Sequence, residues 1–333
     1  MTVRVVATGG TIASLADPQT GAVRPAVGAE ELVQSVPGLD GLGPIAVEEV
    51  AHVNGWNVTP PTMLEVARRV AAALADATVD GVVVTHGTDT VEETAFLCDV
   101  TVGSEKPVAF AAAMRSGSEI AADGPRNLLC AAQVAADPAA RGLGTLLVLG
   151  DEVHAARWAR KQDSYRTSAF ASPGHGPVGQ VTPGAVRMLA RPPRRVSVAL
   201  PAALDRPVPI VQAYTGMEEG LVEAVLDATA AAGLVLEGTG LGNLPGSAER
   251  GVRAARERGL PVVVATRVPT GATGAVYGGP GGGVTLRELG AVHAGALSAA
   301  KARLLLMLLL AGGAGADDAA AELVRAADVL ETW

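Results

Sequence analysis

The sequence predicts an α/β protein with a larger N-terminal domain on a mostly parallel sheet and a smaller C-terminal α/β domain. Three observations predict it. The chain has 333 residues, 49% hydrophobic and 18% charged, enough to bury two domain cores. Short apolar runs alternate with longer stretches of helical period. The runs have no polar alternation, as expected of strands covered by helices on both faces. The 41 Gly and 21 Pro stay below the share of a chain that marks disorder.

In chain order, strands are expected at 3–7, 45–51, 81–85, 107–111 and 144–149, and then at 208–213, 233–236 and 261–265. Helices are expected near 29–36, 62–74, 91–99, 125–136, 218–232, 247–258, 299–310 and 317–330. The proline- and arginine-rich stretch 191–207 contains Arg191-Pro192-Pro193-Arg194-Arg195 and Asp205-Arg206-Pro207, and reads as a linker. The expected domains are therefore 1–190 and 208–333. Stretches 271–283 and 312–318, rich in glycine and small residues, read as loops.

The 26 basic and 34 acidic residues give a net charge of −8 with no basic cluster. That excludes the electrostatic footprint of a nucleic-acid binder and argues against an anionic membrane surface. The longest apolar run, 304–311, is far too short to span a bilayer. No secretory signal precedes the strand at Val3, so a cytoplasmic location is expected. Cys98 and Cys130 read as buried free thiols. His52, His86, His154, His175 and His293 lack metal-ligand spacing and read as core or loop histidines. Gly238-Thr239-Gly240-Leu241-Gly242-Asn243 lacks the last glycine of a dinucleotide loop, and Pro245 interrupts the helix such a loop needs.

Two threonine loops carry the chemistry. The first strand ends in Thr8-Gly9-Gly10-Thr11, where two glycines permit a sharp turn that presents the Thr11 hydroxyl above the sheet. A plain tight turn would account for the same residues. The strand at 81–85 runs into His86-Gly87-Thr88-Asp89-Thr90-Val91-Glu92-Glu93. Asp89 and Glu92 have capping-box spacing for the helix that follows, but capping leaves the clustered hydroxyls unexplained. Loops leaving the carboxyl ends of neighbouring parallel strands converge on one edge, which would bring Thr11, Thr88 and Asp89 together. Hydroxyls beside a carboxylate suit nucleophilic attack on a carbonyl, given a base. Lys161 is the base candidate. Lysine occurs only at Lys106, Lys161 and Lys301, against 23 arginines, and Arg160 stands next to it. Arginine keeps its proton in a protein, whereas a desolvated lysine can lose one.

These segments, Thr8-Gly9-Gly10-Thr11-Ile12-Ala13 and His86 through Ala95, resemble the two signatures of the bacterial-type L-asparaginase family. The resemblance continues through Ala113-Met114-Arg115, Ala122-Asp123-Gly124-Pro125-Arg126-Asn127-Leu128 and Arg267-Val268-Pro269-Thr270-Gly271-Ala272. It implies a large and a small α/β domain, a homo-oligomer (dimer or tetramer), and hydrolysis of the side-chain amide of asparagine without metal or cofactor. It also implies that Thr11 is the nucleophile and that Thr88, Asp89 and Lys161 form the second catalytic group. Thr88 and Asp89 would also contact the substrate, together with Gly55, Trp56 and Ala113.

Two departures stand out. The family's lid tyrosine has no counterpart in Gln19-Thr20-Gly21-Ala22-Val23-Arg24-Pro25. Gly55 stands where the family places a serine for the substrate α-carboxylate, and Trp56 follows it. Weak affinity or a shifted substrate is therefore expected, and Gly55→Ser is expected to lower KM. The alternative is an asparaginase-like binding or regulatory protein with little hydrolytic activity.

Overall fold

Gly81–Thr85 is buried at all five positions, as a strand covered on both faces has to be. It belongs to an eight-stranded sheet in the computed structural model, which describes residues 2–192 and 196–331. Pro193, Arg194 and Arg195, the middle of the expected linker, lie outside the described residues. By internal contacts the chain divides into Met1–Ser197 and Val198–Trp333.

The strands of the first unit are β1 (Val3–Gly9), β2 (Ser14–Ala16), β3 (Val23–Pro25), β4 (Ile45–Val53), β5 (Gly81–Thr85), β6 (Val108–Ala111), β7 (Thr145–Leu149), β8 (Glu152–Ala155), β9 (Arg160–Lys161), β10 (Phe170–Ala171), β11 (Gly179–Thr182) and β12 (Ala185–Met188). Its helices are α1 (Ala29–Gln34), α2 (Pro60–Ala75), α3 (Val91–Thr101) and α4 (Gly124–Ala136). The large sheet runs β12-β11-β8-β7-β6-β5-β1-β4. β4, β1, β5, β6 and β7 are parallel, and the three strands beyond β7 are antiparallel.

The order places β1 between β4 and β5, so the chain leaves β1 first to one side and then to the other. Such a switch opens a crevice at the carboxyl ends of the strands. Helices hold it in place. Leu128, Ala131, Ala132 and Ala135 of α4 pack with Val5, Val83, Ala109 and Leu146 of the sheet. α2 starts on Thr59, whose hydroxyl accepts the Thr62 amide, with proline at the first two positions. Its buried residues Met63, Val66, Ala67, Val70 and Ala73 follow the helical period.

The second unit holds β13 (Ile210–Gln212), β14 (Leu234–Gly238), β15 (Val262–Thr266) and β16 (Val292–His293), all parallel, with α5 (Leu221–Thr229), α6 (Glu249–Glu257), α7 (Gly283–Glu288), α8 (Ala299–Ala311) and α9 (Ala316–Glu331). The leucine-rich run of α8 is buried. α9 begins at Ala316, inside the stretch expected as loop, and α7 starts at Gly283, where a loop was expected to end. Cys98 and Cys130 are free and buried, and burial pushes the Cys130 thiol up to about 12. No helix is long and apolar enough to cross a membrane, among the described residues.

Candidate active site

Four adjacent parallel strands deliver the sequence-predicted residues to one edge. Thr11 follows β1, Gly55 and Trp56 follow β4, Thr88 and Asp89 follow β5, and Ala113 follows β6. The loops after β4, β1 and β5 touch through glycine. Gly9 and Gly10 have φ of 91° and 82°, which bulkier residues avoid. A Cβ on Gly10 would come within 2.4 Å of the Gly87 backbone, and one on Gly87 within 2.6 Å of Gly55. A Cβ on Gly55 would lie 3.1–3.2 Å from the Gly87 peptide. Gly55 is thus more than the loss of a hydroxyl, because it lets two site loops pack backbone to backbone. The Thr90 hydroxyl donates to the Gly55 carbonyl at 2.6 Å and locks that contact.

Behind this stack, His86 is fully buried, 2.9 Å from both the Gly87 carbonyl (Nδ1) and the Thr94 hydroxyl (Nε2). A carbonyl only accepts, so Nδ1 carries the proton and Nε2 accepts from Thr94. Burial lowers the His86 pKa to about 4, keeping it neutral near pH 7.

Lys161 lies in the two-residue strand β9, paired with Phe170 of β10. Its Nζ is 2.9 Å from Thr88 Oγ1 and 2.7 Å from Asp89 Oδ1. Thr88 is buried, while Asp89 keeps an exposed side towards the crevice mouth. The three residues expected to act together are therefore in direct contact. Asp89 and Glu92 do not form the capping box that their spacing allows. The N-cap of α3 is Thr90, without a side-chain cap, because both carboxylates are taken by Lys161. Glu92 Oε2 accepts the Lys161 backbone N–H at 2.6 Å.

Thr11 opens a three-residue turn, half-buried, and its hydroxyl has no hydrogen-bond partner among the described residues. The Ser14 hydroxyl donates to the Gly10 carbonyl at 2.7 Å and holds the turn from beneath. Beyond it, β2 and β3 form a small hairpin. Asp17 ties its loop by accepting from the Gln19 and Thr20 amides, the Thr20 hydroxyl and Arg24, and those bonds lower its pKa to about 2. Ala22 and Val23, at the lid-tyrosine position, are exposed on this hairpin. Trp56 is 63% exposed, so it does not serve as core packing.

The loop after β6 is braced by Asp123 and Asn127, two residues to which the sequence alone assigns no role. The Asp123 carboxylate accepts the Met114 amide at 3.1 Å, the Arg115 amide at 2.8 Å and the Asn127 side chain at 3.1 Å. Asn127 also donates to the Ala112 carbonyl and accepts from Gly150, framing Ala113 on both sides. The i, i+4 spacing of Asp123 and Asn127 was the available signal. No group of three or more metal-binding side chains occurs among the described residues.

With this geometry in place, the chain can be set beside known proteins. Residues 2–194 match the family "Asparaginase, N-terminal" and residues 207–322 match "Glutaminase/Asparaginase C-terminal domain". A probable L-asparaginase of Deinococcus radiodurans is 39% identical over 309 residues, covering 90% of each chain. L-asparaginase 2 of Bacillus subtilis is 36% identical over 276 residues, 81% of this chain and 73% of that one. A solved structure, a probable cytoplasmic L-asparaginase from Campylobacter jejuni, superposes with a TM-score of 0.86 at 28% identity, over 100% of this chain and 99% of the other. The family models together span nearly the whole chain, and the protein belongs to the asparaginase family.

Proposed function

We propose that the protein hydrolyses the side-chain amide of L-asparagine to L-aspartate and ammonia, with Thr11 as nucleophile. The observation that carries this reading is the contact of Lys161 Nζ with both Thr88 and Asp89, brought together across more than seventy residues of chain. Thr11 Oγ1 attacks the amide carbon, and its proton passes through Thr88 to the Nζ lone pair of Lys161 acting as the free amine. The proton returns to the leaving nitrogen, the C–N bond breaks, and an aspartyl ester remains on Thr11. Water, deprotonated by the same pair, then splits the ester and restores Thr11. The Asp89 carboxylate steadies the charged lysine through Oδ1. Its second oxygen has no protein partner among the described residues and suits a substrate ammonium. Gly55, Trp56 and Ala113 are assigned to the walls of the substrate pocket.

A second reading has one observation in its favour. Gly55 packs on Gly87 in place of a carboxylate-binding hydroxyl, which suits a protein that binds the amino acid but turns it over slowly. Incubating the purified protein with L-asparagine or L-glutamine and measuring ammonia separates the two. Ammonia release that Lys161→Met abolishes is the expected result. Binding by calorimetry with no ammonia would give the second reading instead.

A homo-oligomer, dimer or tetramer, is proposed from family membership alone. A cytoplasmic location is proposed by analogy with the Campylobacter protein.

A further inference from the structure

The helix that follows the Thr88–Asp89 loop also holds the chain segment that carries Lys161, at two points. Glu92, in the first turn of α3, accepts the Lys161 backbone N–H at 2.6 Å. Asp99, in the last turns of α3, accepts from Arg157 Nε at 3.2 Å, and Arg157 Nη2 is also 3.2 Å from the same oxygen. The other Asp99 oxygen accepts the Thr145 amide at 2.9 Å. Both side chains of the Asp99–Arg157 pair are 1% exposed. Glu92 and Asp99 are seven residues apart, just short of two helical turns, so they lie on one face about 10.5 Å apart. Arg157 and Lys161, four residues apart, meet them in the reverse order along the chain, Lys161 at Glu92 and Arg157 at Asp99.

This arrangement solves a positional problem. Lys161 sits in a strand of two residues, which by itself has little to hold it in register. Its Nζ nonetheless meets Thr88 and Asp89 within hydrogen-bond distance. Proton transfer depends steeply on such distances, and a displacement of about 1 Å can cost on the order of a hundredfold in rate. Helix capping does not account for Glu92, since its carboxylate is spent on a backbone amide 69 residues away.

We infer that Glu92 is a positioning residue for Lys161, fixing the lysine on Thr88 and Asp89 from the first turn of the helix that follows them, with the buried Asp99–Arg157 pair as the second anchor. The inference rests on the catalytic reading of Lys161 proposed above. Its requirement is an acceptor at the right reach, with no demand for negative charge at that point.

Two conservative variants separate reach from charge. Glu92→Gln keeps the acceptor and the reach but removes the charge, whereas Glu92→Asp keeps the charge and withdraws the carboxyl by one methylene. Steady-state kinetics on L-asparagine should give Glu92→Gln a kcat within about threefold of the parent. Glu92→Asp should lose about tenfold or more in kcat. Both should keep KM within about threefold, because the residue touches no substrate. The reverse order, with Asp parental and Gln impaired, would overturn the inference in favour of a charge effect on the helix. Two parental variants, or a loss confined to KM, would overturn it as well. Lys161→Met in the same assay keeps the two claims apart. If it retains parental turnover, the catalytic reading of Lys161 fails. If it is inactive while Glu92→Asp is parental, only the positioning role fails.

Discussion

The two threonine loops leave adjacent strands of one sheet and are built in opposite ways. Around Thr88 everything is tied. His86 is buried and bonded at both ring nitrogens, Thr90 grips Gly55, and Lys161 is held by side chain and backbone. Around Thr11 the ties are local and exposed, with Asp17 holding its own loop and β2 pairing with β3. The Thr11 hydroxyl has no protein partner among the described residues, and no residue from Leu15 to Gly28 is buried. Regions with few buried contacts open at low free-energy cost, whereas buried elements open only with the domain. The difference teaches a division of labour. On the proposed reading, the group around Lys161 is organised before substrate arrives, and the loop of Thr11 is left for the substrate to order. Electrostatic groups gain most from being fixed in advance, while a lid has to move to admit and release ligand.

The largest effect should come from the loosely held side. Thr11→Ala is expected to lower kcat at least about a thousandfold, since the attacking atom itself is removed. A loss below about tenfold would show that the nucleophile lies elsewhere and would break the comparison. On the tied side, Lys161→Arg keeps charge and approximate reach but gives up the deprotonated state, and should cost about a hundredfold in kcat. Near-parental turnover in that variant would reduce Lys161 to a support for Asp89.

The same contrast explains what was legible in the sequence. The strands that build the crevice are apolar runs, and Gly81–Thr85 was readable to the residue. The crevice rule then placed Thr11, Thr88 and Asp89 together. β2, β3, β8 to β12 and β16 gave no such signal, because they are short and most of them carry polar residues rather than lying in an apolar run. Glu92 misled for a different reason. Its spacing from Asp89 fits a local capping box, and nothing in a linear sequence shows that a distant backbone amide competes for the carboxylate. The stack of Gly10, Gly55 and Gly87 was equally hidden, as each glycine has its own local explanation.

The stack changes one expectation. Restoring a serine at Gly55 looked from the sequence like a gain in affinity. Its Cβ would press on the Gly87 peptide, which Gly10 backs on the other side and which leads directly into Thr88. Gly55→Ser is therefore expected to lower kcat by roughly three- to tenfold without improving KM. A lower KM at parental kcat would show that the tied loops have more give than their packing implies.

A smaller effect concerns pH. The folded-state pKa of His86 is lowered from 6.5 to about 4, so the unfolded chain binds the extra proton first as pH falls. Its contribution to stability is complete above about pH 6.5 and is lost as pH drops towards 4. By linkage, the loss between pH 7 and pH 5 is about 2 kcal/mol. Burial lowers His154 in the same sense. Urea titrations at the two pH values should show this fall in the parent and a clearly smaller one in His86→Asn. An equal fall in both would place the pH sensitivity elsewhere.

The division between a tied and an untied loop is most directly tested by amide hydrogen exchange, with and without L-aspartate. In the free protein, amides of residues 15–26 should exchange orders of magnitude faster than those of residues 86–101. L-Aspartate should slow the first group strongly and leave the second nearly unchanged. Equal protection of the two segments in the free protein, or slowing confined to residues 86–101, would contradict the account.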